Sequence, residues 1–173
     1  MSDFYQRIEG QVGSESLPPL DRWSPDLSGD IDIRIDSQGR WFHDGRPIER
    51  ASLVALFARI LRREADGHYY LLTPYEKWRI QVEEHPLRII AVEQVADRGS
   101  ECIVVVANNS VRYAISSKHP MCLCPNDEGA FVQLDHGITA KLDRPAWYQL
   151  CEWVQSDEQG LYLASAGETF RLS

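Results

Sequence analysis

The stretch GHYYLLTPYEKWRI, residues 67–80, returns in shortened form near the C-terminus as GLYLASAGETFRL, residues 160–172. Gly67, Tyr69, Trp78, Arg79 and Ile80 match Gly160, Tyr162, Phe170, Arg171 and Leu172 at offsets of 92 or 93 positions. Upstream, Gly39 and Trp41 match Gly129 and Phe131 at 90, and Gly45 matches Gly137 at 92. Between them Leu53, Leu56, Phe57 and Ile60 match Trp147, Leu150, Cys151 and Val154 at 94, as Arg50 matches Arg144. An offset that drifts so little restricts the fold to one small unit written twice.

The unit is legible in the first copy. DIDIRID alternates Ile31, Ile33 and Ile35 with Asp30, Asp32, Arg34 and Asp36, which predicts a strand with one buried and one charged face. DSQG turns the chain into RWFHDG, a short strand closed by the hairpin signal Asp44-Gly45. Apolar residues at helical spacing, Leu53, Leu56, Phe57, Ile60 and Leu61, predict a helix from Ser52 to Glu64, with Arg62 and Arg63 in its last turn and Gly67 ending it. HYYLLT and KWRIQVE follow as strands around a Pro74 turn. In the second copy RPAWYQLCEWV predicts the matching helix, with Asp143 as its cap and Pro145 in its first turn.

PLRIIAVEQV, ECIVVVANN and VRYAIS lie between the copies and read as a β-meander with turns at Asp97 to Gly99 and Asn108-Asn109. With the second copy they predict about seven strands and one helix, a partly closed antiparallel barrel or sandwich. The expected fold class is therefore α+β, an internally duplicated strand-strand-helix-strand-strand unit. The expected division is a lead-in over 1–22, a small α+β domain over 23–84 and a β-rich domain over 85–173. Turn glycines with amphipathic stripes also recur by chance, so the duplication carries a test. Residues 36–80 and 126–172 must form the same unit, and a different strand order in the two contradicts it.

A formal net charge of -8 opposes nucleic-acid binding, which needs a surplus of Lys and Arg. The first residues, MSDFYQRIEG, lack the apolar run of a signal peptide, and no stretch has the roughly 20 apolar residues of a membrane span. A cytoplasmic protein is expected. Cys102, Cys122, Cys124 and Cys151 read as reduced thiols. Cys122 and Cys124 share one side of a strand near His119 and His136, but CxC alone lacks the paired spacing of a zinc ribbon, and core packing is the expected role.

The segments SGDIDIRI, GRWFHDGRPIER and LFARILRREADGHYYLLTPYEKWRIQVE, followed by HPLRI, resemble a bacterial family of uncharacterised proteins, domain of unknown function 1285. The resemblance spans nearly all of residues 22–172 and is most specific in the N-terminal half. It implies a duplicated α+β architecture, a C-terminal half superficially like pleckstrin-homology domains, and a cleft between the halves as the suspected site. It implies no established activity. Members often carry a cysteine just before the Gly-Asp of the first strand, where this chain has Ser28.

Two groups of residues are candidates for a site. Ser28, Asp30, Asp32 and Arg34 share one side of the first strand, where carboxylates spaced two apart can order a polar ligand; the alternative is a solvated sheet face. Thr73, Glu76 and Lys77 are polar in the first copy where the second is small or different, and Arg50 stands near the start of the first helix, matched roughly by Arg144; the alternative is turn chemistry and a surface ion pair. His43, His68, His85, His119 and His136 form no HExxH motif, and neither a Walker loop nor GxGxxG implies a cofactor. The expected function is a module binding a small polar ligand or a protein partner in the groove between the halves, of a kind used in signalling. The alternative is a hydrolase- or transferase-like enzyme using Ser28 with its neighbouring carboxylates.

Overall fold

A computed structural model describes residues 2–12, 18–97, 99–125 and 128–172. Within the lead-in, α1 (Ser2–Val12) is a helix, and the turn at Asp97 to Gly99 includes a residue, 98, outside the described ones. The chain forms two compact units, Met1–Pro86 with His136–Ile138, and Leu87–Asp135 with Thr139–Ser173.

In the first unit β1 (Leu27–Ile35), β2 (Trp41–His43) and β3 (Arg46–Pro47) form one antiparallel meander, and β4 (Leu61–Arg63), β5 (Tyr69–Leu72) and β6 (Lys77–Val82) form another. Parallel pairing of β1 with β6 fuses them into one sheet, ordered β3-β2-β1-β6-β5-β4. The alternation of β1 sends Ile33 and Ile35 into the core, where Leu53, Leu56 and Phe57 of α2 (Ala51–Arg59) are also buried. Phe4 and Tyr5 of α1 stack against Phe57 at ring separations of 6.3 and 5.8 Å, and Phe4 meets Trp78 edge-on at 6.0 Å.

The helix expected over 52–64 ends at Arg59, so Arg62 and Arg63 do not lie in its last turn. Ile60 and Leu61 are buried as helical periodicity predicts, but Leu61 pairs with Leu71 in a strand. Arg62 donates to the carbonyls of Leu20 and Trp23 at 2.9 and 3.1 Å, and these long-range bonds override local helix preference.

The second unit holds β7 (Leu87–Asp97), β8 (Ser100–Ala107) and β9 (Arg112–Ala114), then β10 (Met121–Leu123), β11 (Ala130–Gln133) and β12 (Thr139–Leu142), then α3 (Arg144–Cys151), and last β13 (Gln155–Asp157), β14 (Gly160–Ser165) and β15 (Glu168–Arg171). These nine strands exceed the seven expected. They form two sheets: a six-stranded one ordered β10-β11-β12-β7-β8-β9, antiparallel except at β12–β7, and a separate three-stranded one ordered β13-β14-β15.

The duplication is real and larger than its sequence trace. Each copy runs three strands, a helix and three strands, β1 to β6 around α2 and β10 to β15 around α3, and the pairings β2–β3, β4–β5 and β5–β6 recur as β11–β12, β13–β14 and β14–β15. Tyr70 faces Arg79 across β5 and β6, as Tyr162 faces Arg171 across β14 and β15. Tyr70, rather than Tyr69, is therefore the structural counterpart of Tyr162. Asp44-Gly45 and His136-Gly137 share two successive left-handed residues, with φ of 49° and 73° against 60° and 72°. The halves differ in closure: the first joins its two meanders through β1 and β6, whereas β10 and β15 belong to different sheets.

Candidate functional site

The N-terminal candidates fall into a network of mutual contacts. Register aligns Arg62, Tyr70, Arg79 and Asp30 in one row across β4, β5, β6 and β1. Arg79 binds both oxygens of Asp30 at 2.7 Å, and the Arg79 hydrogen bond holds the Asp30 carboxyl below its ordinary range. Tyr70 is almost wholly buried and donates to Asp66 at 2.6 Å, which lowers the Asp66 carboxyl and raises the Tyr70 phenol. Lys77 lies 4.6 Å from the Tyr70 ring centre and donates to Glu64 at 2.8 Å. Burial alone raises the Glu64 carboxyl, but hydrogen bonds from Lys77 and Arg62 outweigh it and leave the group lowered.

The other candidates have similar attachments. Ser28 Oγ accepts from the Lys77 backbone N–H at 3.1 Å. Arg34 donates to Glu83 and lies over the Phe42 ring, and Asp32 is exposed on the same strand. Thr73 is fully buried, its Oγ1 accepting from the N–H groups of Tyr75 and Glu76 at 3.2 and 2.9 Å, so it shapes the β5–β6 turn. Arg50 and Glu76 both hold α1: Arg50 binds Glu9, and Glu76 binds Arg7 at 3.1 Å. The structure thus brings Ser28 to Lys77 and sets Arg50 and Glu76 against the N-terminal helix.

The second unit holds open space that the sequence did not mark as a site. A cavity of about 400 Å³ is lined by Arg88, Lys141, Arg144, Glu128, Trp147 and Tyr148. β7 supplies Arg88, β12 supplies Lys141, and α3 supplies the rest of the cationic wall. Asp143 stands at the cap position of α3, yet its carboxylate makes no capping bond; Arg88 Nε donates to it at 2.6 Å. Lys141 faces Glu128 at 3.8 Å, and Arg144 is exposed. Among the described residues, three cations stand beside two carboxylates at this cavity, in a chain of net charge -8.

Trp147 and Gly129 also line a second cavity of about 340 Å³, walled by Leu123, Cys151, Val154, Leu161 and Leu172. Both volumes fall in the range of roughly 300–1,000 Å³ common to small-molecule sites. The apolar residues were visible as the helix stripe Trp147, Leu150, Cys151 and Val154, a pattern that identifies an apolar face without saying whether it is covered. Cys151 is an exposed free thiol whose pKa is raised by burial of the sulfur's surroundings. Elsewhere in this unit Cys124 is buried, Cys122 accepts weakly from Gln133, and His119 lies 3.3 Å from Asp135.

A duplicated α+β chain with one cation-lined and one apolar cavity in its second half defines a two-part protein with room for a ligand. It belongs to the DUF1285 family: the N-terminal domain of that family, described as a domain of unknown function, matches residues 18–85, and its C-terminal domain, described as a protein of unknown function, matches residues 86–172. A DUF1285 family protein from Silicibacter pomeroyi DSS-3 is similar over 97% of this chain and 93% of its own, with 28% identity and a TM-score of 0.86. One from Shewanella baltica OS155 is similar over 70% of this chain and 91% of its own, with 30% identity and a TM-score of 0.58. No curated protein matches the chain.

Proposed function

We propose that the chain is a binding module for a small anionic ligand, held in the cationic cavity of its C-terminal half by Arg88, Lys141 and Arg144. The observation that carries this reading is the grouping of three cations around one cavity in a chain otherwise rich in carboxylates. Arg88, fixed by Asp143, is held in place before any ligand arrives, which reduces the ordering cost of binding. Arg144 and Lys141 supply charge around it.

The setting we propose is the bacterial cytoplasm, in a signalling role. The four free cysteines suit a reducing compartment. A pleckstrin-like use of the half, with a phosphorylated headgroup as the anion, falls within the same reading. The hydrogen bonds at Ser28 and Asp30 favour binding over the nucleophile alternative, because each group already serves the β1–β6 seam.

The test is a thermal-shift panel of phosphate, carboxylates and inositol phosphates, run on wild type and on Arg144→Ala/Lys141→Ala. A ligand at 100 times its Kd adds about 2.7 kcal/mol, or a rise of about 5–10 °C for a chain of this size. The reading expects at least one anion to give such a rise in wild type and little in the variant. Equal shifts in both proteins, or none with any anion, overturn it.

A further inference from the structure

We propose that the ligand is an amphiphile, with an anionic head at Arg144 and a hydrocarbon or aryl tail in the apolar cavity walled by Cys151, Leu161 and Leu172. This rests on the reading of the cationic cavity as an anion site and names the ligand class for it. Two adjoining cavities of unlike lining carry it, together with the difference in closure between the halves.

Aligned on their cap residues Arg50 and Asp143, the two helices place Leu53 and Phe57 opposite Ala146 and Leu150. At 92, Ile80 corresponds to Leu172. The helix positions are buried in both halves, whereas Ile80 is buried and Leu172 lines an open cavity. Two things close the first half. β1 pairs with β6, and α1 lays Phe4 on Phe57 and Trp78. In the second half the corresponding strands, β10 and β15, lie in separate sheets, and Leu123 at the end of β10 and Leu172 beyond β15 line the same cavity.

In the first half α1 lays an aromatic ring on Phe57 and a carboxylate, Glu9, on Arg50. The cap counterpart of Arg50 is Asp143, so the cation Arg144 at the start of α3 is particular to the second half. Cys151 lines the apolar cavity and Arg144 the cationic one, and the two adjoin at Trp147 and Gly129. An apolar group joined to an anion therefore fits the adjoining pair. Charge agrees, because a tail alone makes no use of the three cations.

The test is isothermal titration with octanoate and decanoate below their micelle-forming concentrations, beside acetate as head alone and 1-decanol as tail alone. It uses the full chain, Arg144→Ala/Lys141→Ala, and Leu161→Glu; Leu161 is 48% exposed, so a charge there is tolerated by the fold. Leu123→Glu, on another wall, serves if Leu161→Glu does not fold. A second readout is maleimide labelling of Cys151 in a Cys122→Ser background. The proposal expects decanoate to bind roughly tenfold tighter than octanoate for the two added methylenes, and to slow Cys151 labelling. Both charge removal and Leu161→Glu should weaken it at least tenfold.

Acetate binding as tightly as decanoate, and lost in the charge variant, overturns the amphiphile while leaving the anion site standing. Decanol binding as tightly as decanoate, with no effect of the charge variant, overturns both. Capture of an amphipathic peptide without any decanoate binding overturns the proposal in favour of a protein partner.

Discussion

Arg79 donates from Nε and Nη2 to the two carboxylate oxygens of Asp30, each at 2.7 Å, across the parallel seam that joins β6 to β1. The pair sits where the two meanders of the N-terminal half become one sheet. In the C-terminal half the equivalent arginine, Arg171, binds Asp157 of its own three-stranded sheet, at 2.7 and 2.9 Å. The same residue thus secures a seam between meanders in one half and closes a single meander in the other.

Acid should loosen the N-terminal half in a defined window. Asp30 is lowered by the Arg79 hydrogen bond. Burial works to raise Asp36 and Glu64, but hydrogen bonds from Arg40 and Gln38 in one case, and from Lys77 and Arg62 in the other, leave both lowered. With folded values below the ordinary 3.8 and 4.5, their stabilisation is complete above about pH 4.5 and is lost as pH falls through the folded values. The melting temperature should stay flat from pH 7 to 5 and drop below 4.5, with a shallower acid limb in Arg79→Ala. Identical acid limbs in the two proteins would contradict this.

Lys77→Ala should cost about 1–2 kcal/mol in urea unfolding, because it removes one of the two cationic partners of the half-buried Glu64 and the cation above the Tyr70 ring. Lys77→Arg should recover part of that loss. Unchanged stability in the alanine variant would show the contacts to be idle.

Ser165→Ala tests how the small sheet of the C-terminal half is attached. Ser165 is fully buried, accepts from Ile103 N–H at 2.9 Å and donates to Ile115 O at 2.7 Å. Removing the hydroxyl leaves two buried backbone groups without that partner, a cost of about 2–3 kcal/mol. Denaturant titration should show the loss, with faster amide exchange at Ile103.

Two counterpart glycines should respond unequally to alanine. Both Gly45 and Gly137 have left-handed φ, which disfavours a side chain by about 1–2 kcal/mol. An added Cβ at Gly45 meets nothing within 4 Å, whereas at Gly137 it comes within 3.1 Å of Arg63 Cβ and of the Arg63 carbonyl oxygen. Gly137→Ala should therefore be the more destabilising by urea titration, and equal costs would contradict the close approach.

Much of this architecture is written in local pattern. The alternation of Ile33 and Ile35 with charge, the Asp44-Gly45 turn and the matched helix stripes are short-range signals, and they carried the duplication. The end of α2 was not legible, because Leu61 and Arg62 leave the helix for partners at Leu71, Leu20 and Trp23 that no local window contains. The same distance hid the pairing of Asp30 with Arg79, forty-nine positions away. Trp147, Cys151 and Leu161 carried an apolar signal, but whether an apolar face is covered depends on which strands join, and β10 with β15 do not. Arg50 was singled out for its contrast between copies, while its partner, Glu9 of α1, lies forty-one positions away.

The central claim is that a ligand enters the C-terminal half beside Trp147. The most direct measurement is the indole N–H region of a nitrogen-15 NMR spectrum during titration with decanoate, with Trp147 assigned by Trp147→Phe. The account predicts that the Trp147 signal moves and saturates while those of Trp23, Trp41 and Trp78 stay in place. Movement confined to Trp78, beside the charged face of β1 and β6, would contradict it.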